Sequence, residues 1–155
     1  MKMIPALLLF SALCTPVAAT TGENANHREL TMSEAEARTA LQQGDITTAL
    51  EQFQQLATEQ PGSASIHEGL GSAWLLNQHY RDAANAFQRA ISEDASRGDA
   101  FIGLAVSYIH MGMFPHAKAA LQEARQRKPE SASDIDNLLS WLEQKEKQNT
   151  NRAIH

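Results

Sequence analysis

Four residues within one short stretch carry the most suggestive chemistry in this chain: His110, Met111, Met113 and His116. Imidazole and thioether are soft ligands of the kind that suits copper. Methionine is also a common filler beside turns. His110 and His116 fall on two successive helical segments, and nothing in their spacing makes them face each other. The other reactive groups are few. Cys14 is the single cysteine, so a disulfide within the chain is excluded. Glu34 with Glu36, and Asp134 with Asp136, are spaced like solvated helix faces and caps. Gly69 and Gly71 lie inside a helical pattern and follow no strand, so they do not form a phosphate-cradling loop. No nucleophile has a positioned base. The residues point to a protein that is not an enzyme and needs no cofactor.

Composition narrows the partners. The chain has 155 residues, 43% of them hydrophobic, with 13 Lys and Arg against 18 Asp and Glu for a formal net charge of -5. That is enough apolar material for one domain, and the negative balance argues against nucleic acid and anionic lipid. The densest basic group, Arg125, Arg127 and Lys128, sits at an expected helix C-terminus, where cations complement the dipole. At the N-terminus, Lys2 precedes an apolar run from Ile4 to Leu13, and Val17, Ala18 and Ala19 supply small residues for cleavage. This pattern predicts a secretory signal over residues 1–19, its apolar run being about half the ~20 residues a membrane span needs. The mature protein is expected to be exported to the periplasm. Cys14 either fills the core of the signal or carries a lipid that would hold the protein at the outer membrane. The second reading calls for a small residue before the cysteine, and Leu13 stands there.

The elements that position all these residues repeat. Ala49, Ala83 and Ala117 recur at intervals of 34, and each is followed four positions later by a large apolar residue, Phe53, Phe87 and Leu121. A fixed period of this length marks a stack of supersecondary units. The period divides the chain into units 30–63, 64–97 and 98–131 after a flexible lead-in, 20–29. Each unit reads as two helices with a tight turn. Leu70, Gly71 and Trp74 share a face of one helix, and Tyr80, Ala83, Phe87 and Ala90 a face of the next. Leu104, Ala105, Tyr108, Phe114, Ala117, Leu121 and Ala124 repeat the scheme. Gly44 and Gly112 occupy the same turn position, Pro61 and Pro129 the same terminal position, and Pro115 stands at a helix start, where its missing N–H costs nothing. Ser33 with Glu36 and Ser65 with Glu68 fit capping boxes. A closing helix, 132–147, presents Ile135, Leu138, Leu139 and Leu142 to the array, and the tail 148–155 is expected to be flexible.

These residues resemble the tetratricopeptide-repeat family. The agreement lies in the small residue at position 8 of each unit (Ala37, Gly71, Ala105), the aromatics at position 11 (Trp74, Tyr108) and position 17 (Tyr80, Phe114), the alanine at 20, the bulky residue at 24 and the proline at 32. Unit one departs from it, with Ala40 in place of the aromatic and Leu56 in place of the alanine. The resemblance implies an all-α solenoid of three helix-turn-helix repeats plus a C-terminal capping helix. Gly71, Trp74, Tyr80, Ala83, Phe87, Tyr108 and Ala117 would be its structural residues, and the first helix of each unit would line a concave groove. Carried over position by position, the groove would be lined by Thr31, Glu34, Arg38, Leu41 and Gln42, then Ser65, Glu68, Ser72, Leu75 and Leu76, then Asp99, Ile102, Val106, Ile109 and His110, with Glu34, Arg38, Glu68, Ser72, Leu75, Ile102, Val106, Ile109 and His110 as the candidate partner contacts.

Ile102, Val106 and Ile109 form an apolar stripe that the repeat does not need for its own core. Such a stripe fits an apolar peptide or helix of a partner protein. Alternatively it packs on the closing helix or makes a homodimer. One subtype of the family grips a chaperone's C-terminal carboxylate with basic and amide side chains. Here Glu34, Gly69, Asp99 and Gly103 hold four of those places, so no such clamp is expected. Small exported proteins of this kind resemble accessory factors of pilus, secretion, polysaccharide-export and cytochrome-maturation systems. The expected function is therefore a scaffold or assembly factor in a bacterial envelope. The alternatives are a homodimeric structural protein and a periplasmic copper-handling protein.

Overall fold

The computed structural model describes residues 34–153. The expected signal, the lead-in, Cys14, Thr31 and the Ser33 half of the first capping box lie outside them. The described residues form seven α-helices: α1 (34–43), α2 (Ile46–Glu59), α3 (Ala64–Leu76), α4 (Tyr80–Glu93), α5 (Gly98–His110), α6 (Phe114–Arg127) and α7 (Ala132–Ala153). One 3₁₀ turn, Pro129–Ser131, joins α6 to α7. Helices α3, α5 and α7 begin on Ala64, Gly98 and Ala132, the first residues of the second unit, the third unit and the closing segment.

One turn serves all three units. Each first helix ends with the N–H five residues ahead donating back to a carbonyl: Asp45 to Ala40 at 2.9 Å, His79 to Trp74 at 2.9 Å, and Met113 to Tyr108 at 2.8 Å. This closure requires a left-handed residue just before the donor. Gly44 (φ 81°) and Gly112 (φ 72°) supply it, and in the second unit Gln78 is forced to φ 63°. Sequence comparison of the turns had paired only the two glycines. The capping of α3 also differs from expectation. Ser63 is its N-cap, its hydroxyl accepting from the Ile66 N–H, and the Ser65 hydroxyl is turned onto Glu34 instead.

The core is built from alanines and two aromatic wedges. Ala37, Ala49, Ala83, Ala105, Ala117 and Ala124 are fully buried, which lets paired helices approach closely. Phe53 and Phe87 fill the spaces between helices, with Leu121 in the corresponding place of unit three. A methyl group on Gly69 would lie 2.3 Å from the Phe53 ring, and one on Gly103 would lie 2.3 Å from the Phe87 ring. On Gly71, within the same unit as Phe87, it would lie 2.9 Å from that ring. Each phenylalanine therefore rests on bare backbone of the next unit. Trp74 packs partly against both core clusters and bridges units one and two. Tyr80, expected to fill the core, instead lies half-buried at the turn and stacks flat on His110 at 4.3 Å. The buried His67 fixes the connection into α3, its Nε2–H donating to the Pro61 carbonyl at 2.7 Å.

Helix α7 packs antiparallel on α6, tied by Lys118 to Glu143 at 3.0 Å and by Arg125 to Asp136 at 2.8 Å. Ile135 and Leu142 are buried in this contact. Trp141, absent from the expected apolar face, meets Phe114 edge-on at 6.5 Å and stays 39% exposed. The helix continues to Ala153, beyond the expected end at 147. No glycine or proline follows Lys147 to stop it.

Candidate partner-binding groove

Helices α1, α3 and α5 each run antiparallel to the second helix of their own unit, so they run parallel to one another and form one wall. The wall has two edges of different chemistry. At the N-terminal edge, carboxylates of the wall helices meet donors that stand 29 to 31 residues further along the chain. Glu34 accepts from Arg38, at 3.0 Å, and from the Ser65 hydroxyl, at 2.5 Å, while Arg38 also reaches Ser65 Oγ at 2.9 Å. Glu68 accepts from Arg97 Nε at 2.6 Å. Asp99 accepts from Lys128 Nζ at 2.6 Å. The bond from Glu68 holds the Arg97 guanidinium above its ordinary value against the pull of burial, and the bond to Asp99 raises Lys128 likewise. Arg127 reinforces this edge, donating to the Ala95 carbonyl and lying 4.4 Å over the Phe101 ring.

The opposite edge is aliphatic. Leu41, Leu75 and Ile109 stand at the same position of successive units, half-buried and leaning on the core. Leu76 beside them is 57% exposed. Along α5, Ile102 and Ile109 pack partly on the core and Val106 is half-buried between them. Helix α7 makes its contacts with α6 and the 3₁₀ turn and leaves α5 uncovered, so the stripe does not serve to seat the closing helix.

Of the expected polar groove residues, Arg38 and Glu68 are engaged within the protein, and the Ser72 hydroxyl donates to the Glu68 carbonyl at 3.0 Å. Of their partners, Arg97 and Lys128 stand outside the positions carried over from the family, while Ser65 is among those positions but reads in sequence as half of a capping box; the signal for all three is a spacing of 27 to 31 residues from the carboxylates and Arg38. Glu34, Gly69, Asp99 and Gly103 supply no cation at the clamp places, yet the wall carries cationic donors elsewhere. Arg38, Arg97 and Lys128 line its edge, although each faces a carboxylate.

The two histidines around the third turn are drawn to separate aromatic partners. His110 stacks on Tyr80, and His116 tilts against Tyr108 at 5.4 Å. Among the described residues, no group of three His, Cys, Asp or Glu is placed to hold a metal ion. Nor is any helix among them long and apolar enough to cross a membrane.

Comparison with known proteins agrees with this architecture. Two models described as tetratricopeptide repeat match residues 34–96 and 75–142. No curated protein matches in sequence. Among solved structures, the TPR2B domain of yeast Sti1 in complex with pHsp70 is 20% identical with a TM-score of 0.72, over 76% of this chain and 98% of that one. The Yersinia enterocolitica type III secretion chaperone SycD, in complex with a peptide of the translocator YopD, is 18% identical with a TM-score of 0.73, over 77% and 95%. The second TPR domain of human RPAP3, in complex with the HSP70 peptide SGPTIEEVD, is 19% identical with a TM-score of 0.70, over 76% and 97%. The last of these binds a peptide with an acidic C-terminal end, so the comparisons lend no support to excluding such a ligand. At these identities the likeness establishes the fold, and the helix pairs spanning residues 34–142 are tetratricopeptide repeats.

Proposed function

We propose that this protein is an exported, non-enzymatic scaffold that holds an apolar segment of a partner protein along its concave wall, as an assembly factor of a bacterial envelope system. The observation that carries the reading is the uncovered aliphatic lane of Leu41, Leu75, Leu76, Ile102, Val106 and Ile109 beside a polar edge whose charges are already paired. A lane of this kind gains by burying apolar side chains of a ligand. Charged groups on the ligand would have to displace existing ion pairs. The envelope setting is supported by the leader-like pattern of residues 1–19.

Photo-crosslinking in the native cell tests this, with the probe at Val106 and a control at Gln88, exposed on α4. One discrete partner trapped from Val106 and absent from Gln88 is the expected result. Self-crosslinks alone would replace the scaffold with a homodimer. A trapped protein held by an acidic C-terminal tail would turn the reading toward carboxylate recognition through Arg38, Arg97 or Lys128.

A further inference from the structure

The three large hydrophobic side chains that stand exposed among the described residues all lie at one edge of the array, where the two helices of each unit turn into each other. Leu76, the last residue of α3, is 57% exposed, Met113, the N-cap of α6, 37%, and Trp141 of α7, 39%. A contact between rings fills each gap. Tyr80 stacks on His110 between Leu76 and Met113, and Phe114 meets Trp141 beyond Met113. Each step of the row crosses one helix-to-helix spacing, about 8 to 10 Å, so Met113 stands near its middle. The closing helix of such an array is expected to turn a polar face outward. Trp141 departs from that rule, and tryptophan and methionine are residues that interfaces between proteins favour. The two ends of the row differ in charge. Lys145 lies 5.7 Å over the Trp141 ring. The turn that carries Leu76 leads into Asp82, in the first turn of α4, which is exposed and meets His79 at 3.5 Å.

We propose that this turn edge is a homodimer interface in which two copies pair edge to edge, with their rows antiparallel and Met113 at the two-fold axis. A closed two-fold contact needs a patch that is complementary to itself. Reversing the row about Met113 lays Trp141 of one copy on Leu76 of the other and brings each Lys145 toward the other copy's Asp82, so apolar groups meet apolar groups and opposite charges meet at both ends. An anionic lipid surface fits this edge less well, because its ends carry both signs and the chain has a formal net charge of -5. The pairing leaves Ile102 and Val106 free, since both stand a helical turn or more back from the edge. It is therefore a second surface, separate from the groove.

The test is sedimentation and thiol crosslinking of the purified full chain carrying Cys14→Ser, which leaves introduced cysteines as the sole thiols. The chain should sediment as a dimer. Trp141→Ala should raise the dimer dissociation constant by about tenfold or more while the helix signal in circular dichroism is kept, because the side chain is part-exposed. Val106→Asp should leave the dimer unchanged. Met113→Cys should link to itself through a short thiol-reactive crosslinker. Asn77→Cys and Gln144→Cys, at exposed positions that leave the row intact, should link to each other when the two variants are mixed, and neither to itself. A monomer at every concentration would overturn the proposal, as would a dimer indifferent to Trp141→Ala. Asn77→Cys linking to itself would rule out the antiparallel pairing. Loss of the dimer on Val106→Asp would move self-association into the groove and defeat this interface. A monomer that co-sediments with phosphatidylglycerol vesicles, and is released by Trp141→Ala, would reassign the edge to a lipid surface.

Discussion

Phe87 shows how much a single side chain carries here. Its ring is buried between Gly71 of its own unit and Gly103 of the next. Phe87→Ala should destabilise the protein by about 3 to 5 kcal/mol in urea unfolding, the cost of a buried aromatic lost to a cavity. Gly103→Ala puts a methyl group into the ring and should cost about 1 to 3 kcal/mol. Combining it with Phe87→Leu should recover part of that loss, because the two residues share one space. The close approach at Gly71 was legible as a small residue at position 8, whereas Gly103 and Gly69 were legible only as absent clamp residues. Acid stability is also set by single residues. Bonds from the Thr48 hydroxyl and N–H hold Asp45 below the usual carboxylate range, Ser96 does the same for Asp94, and Lys118 for Glu143. Such groups stabilise fully above their unfolded-state values, and the contribution is lost as pH falls through the lower folded-state values. The melting temperature should therefore fall as pH drops below about 4. Asp45→Asn, which can still cap α2, should flatten part of that fall.

At the scale of the element, the turn is the unit of repetition. The same backbone closure appears three times, twice on glycine and once on Gln78. A left-handed non-glycine residue is strained. Gln78→Gly should therefore raise stability by up to about 1 kcal/mol, the relief of strain reduced by glycine's greater freedom in the unfolded chain. Gly112→Ala should lower it, with both changes read as shifts in the urea midpoint. Helix starts were legible because Ala64, Tyr80, Gly98 and Phe114 follow the period. The capping of α3 was not. Ser63 and Ser65 are equally good caps in sequence, and the choice fell to Ser63 once Glu34 and Arg38 of the neighbouring unit engaged Ser65. The end of α7 was misplaced for a related reason: polar residues after Lys147 were read as a tail, but nothing in them breaks a helix.

At the scale of the whole molecule, the aliphatic lane and the ionic edge run the length of the wall. Val106→Asp should abolish crosslinking to a groove partner while leaving helix content and melting temperature nearly unchanged, because Val106 is only half-buried. If the stripe joins two copies instead, the same change should shift the sedimentation of the protein from dimer to monomer. The sequence by itself determined the period, the pairing of helices, the alanine and phenylalanine core, and the aliphatic positions along the wall. These follow from spacing within a unit, where neighbours in space are neighbours in sequence. Only the tertiary structure decided which charges are spent on each other, which aromatics leave the core for the turn, and which face of α5 remains uncovered. Those outcomes depend on contacts between residues some 30 positions apart, such as Glu68 with Arg97 and Asp99 with Lys128. A helical pattern fixes the face on which a side chain stands but not the partner that the stacking of units brings to it.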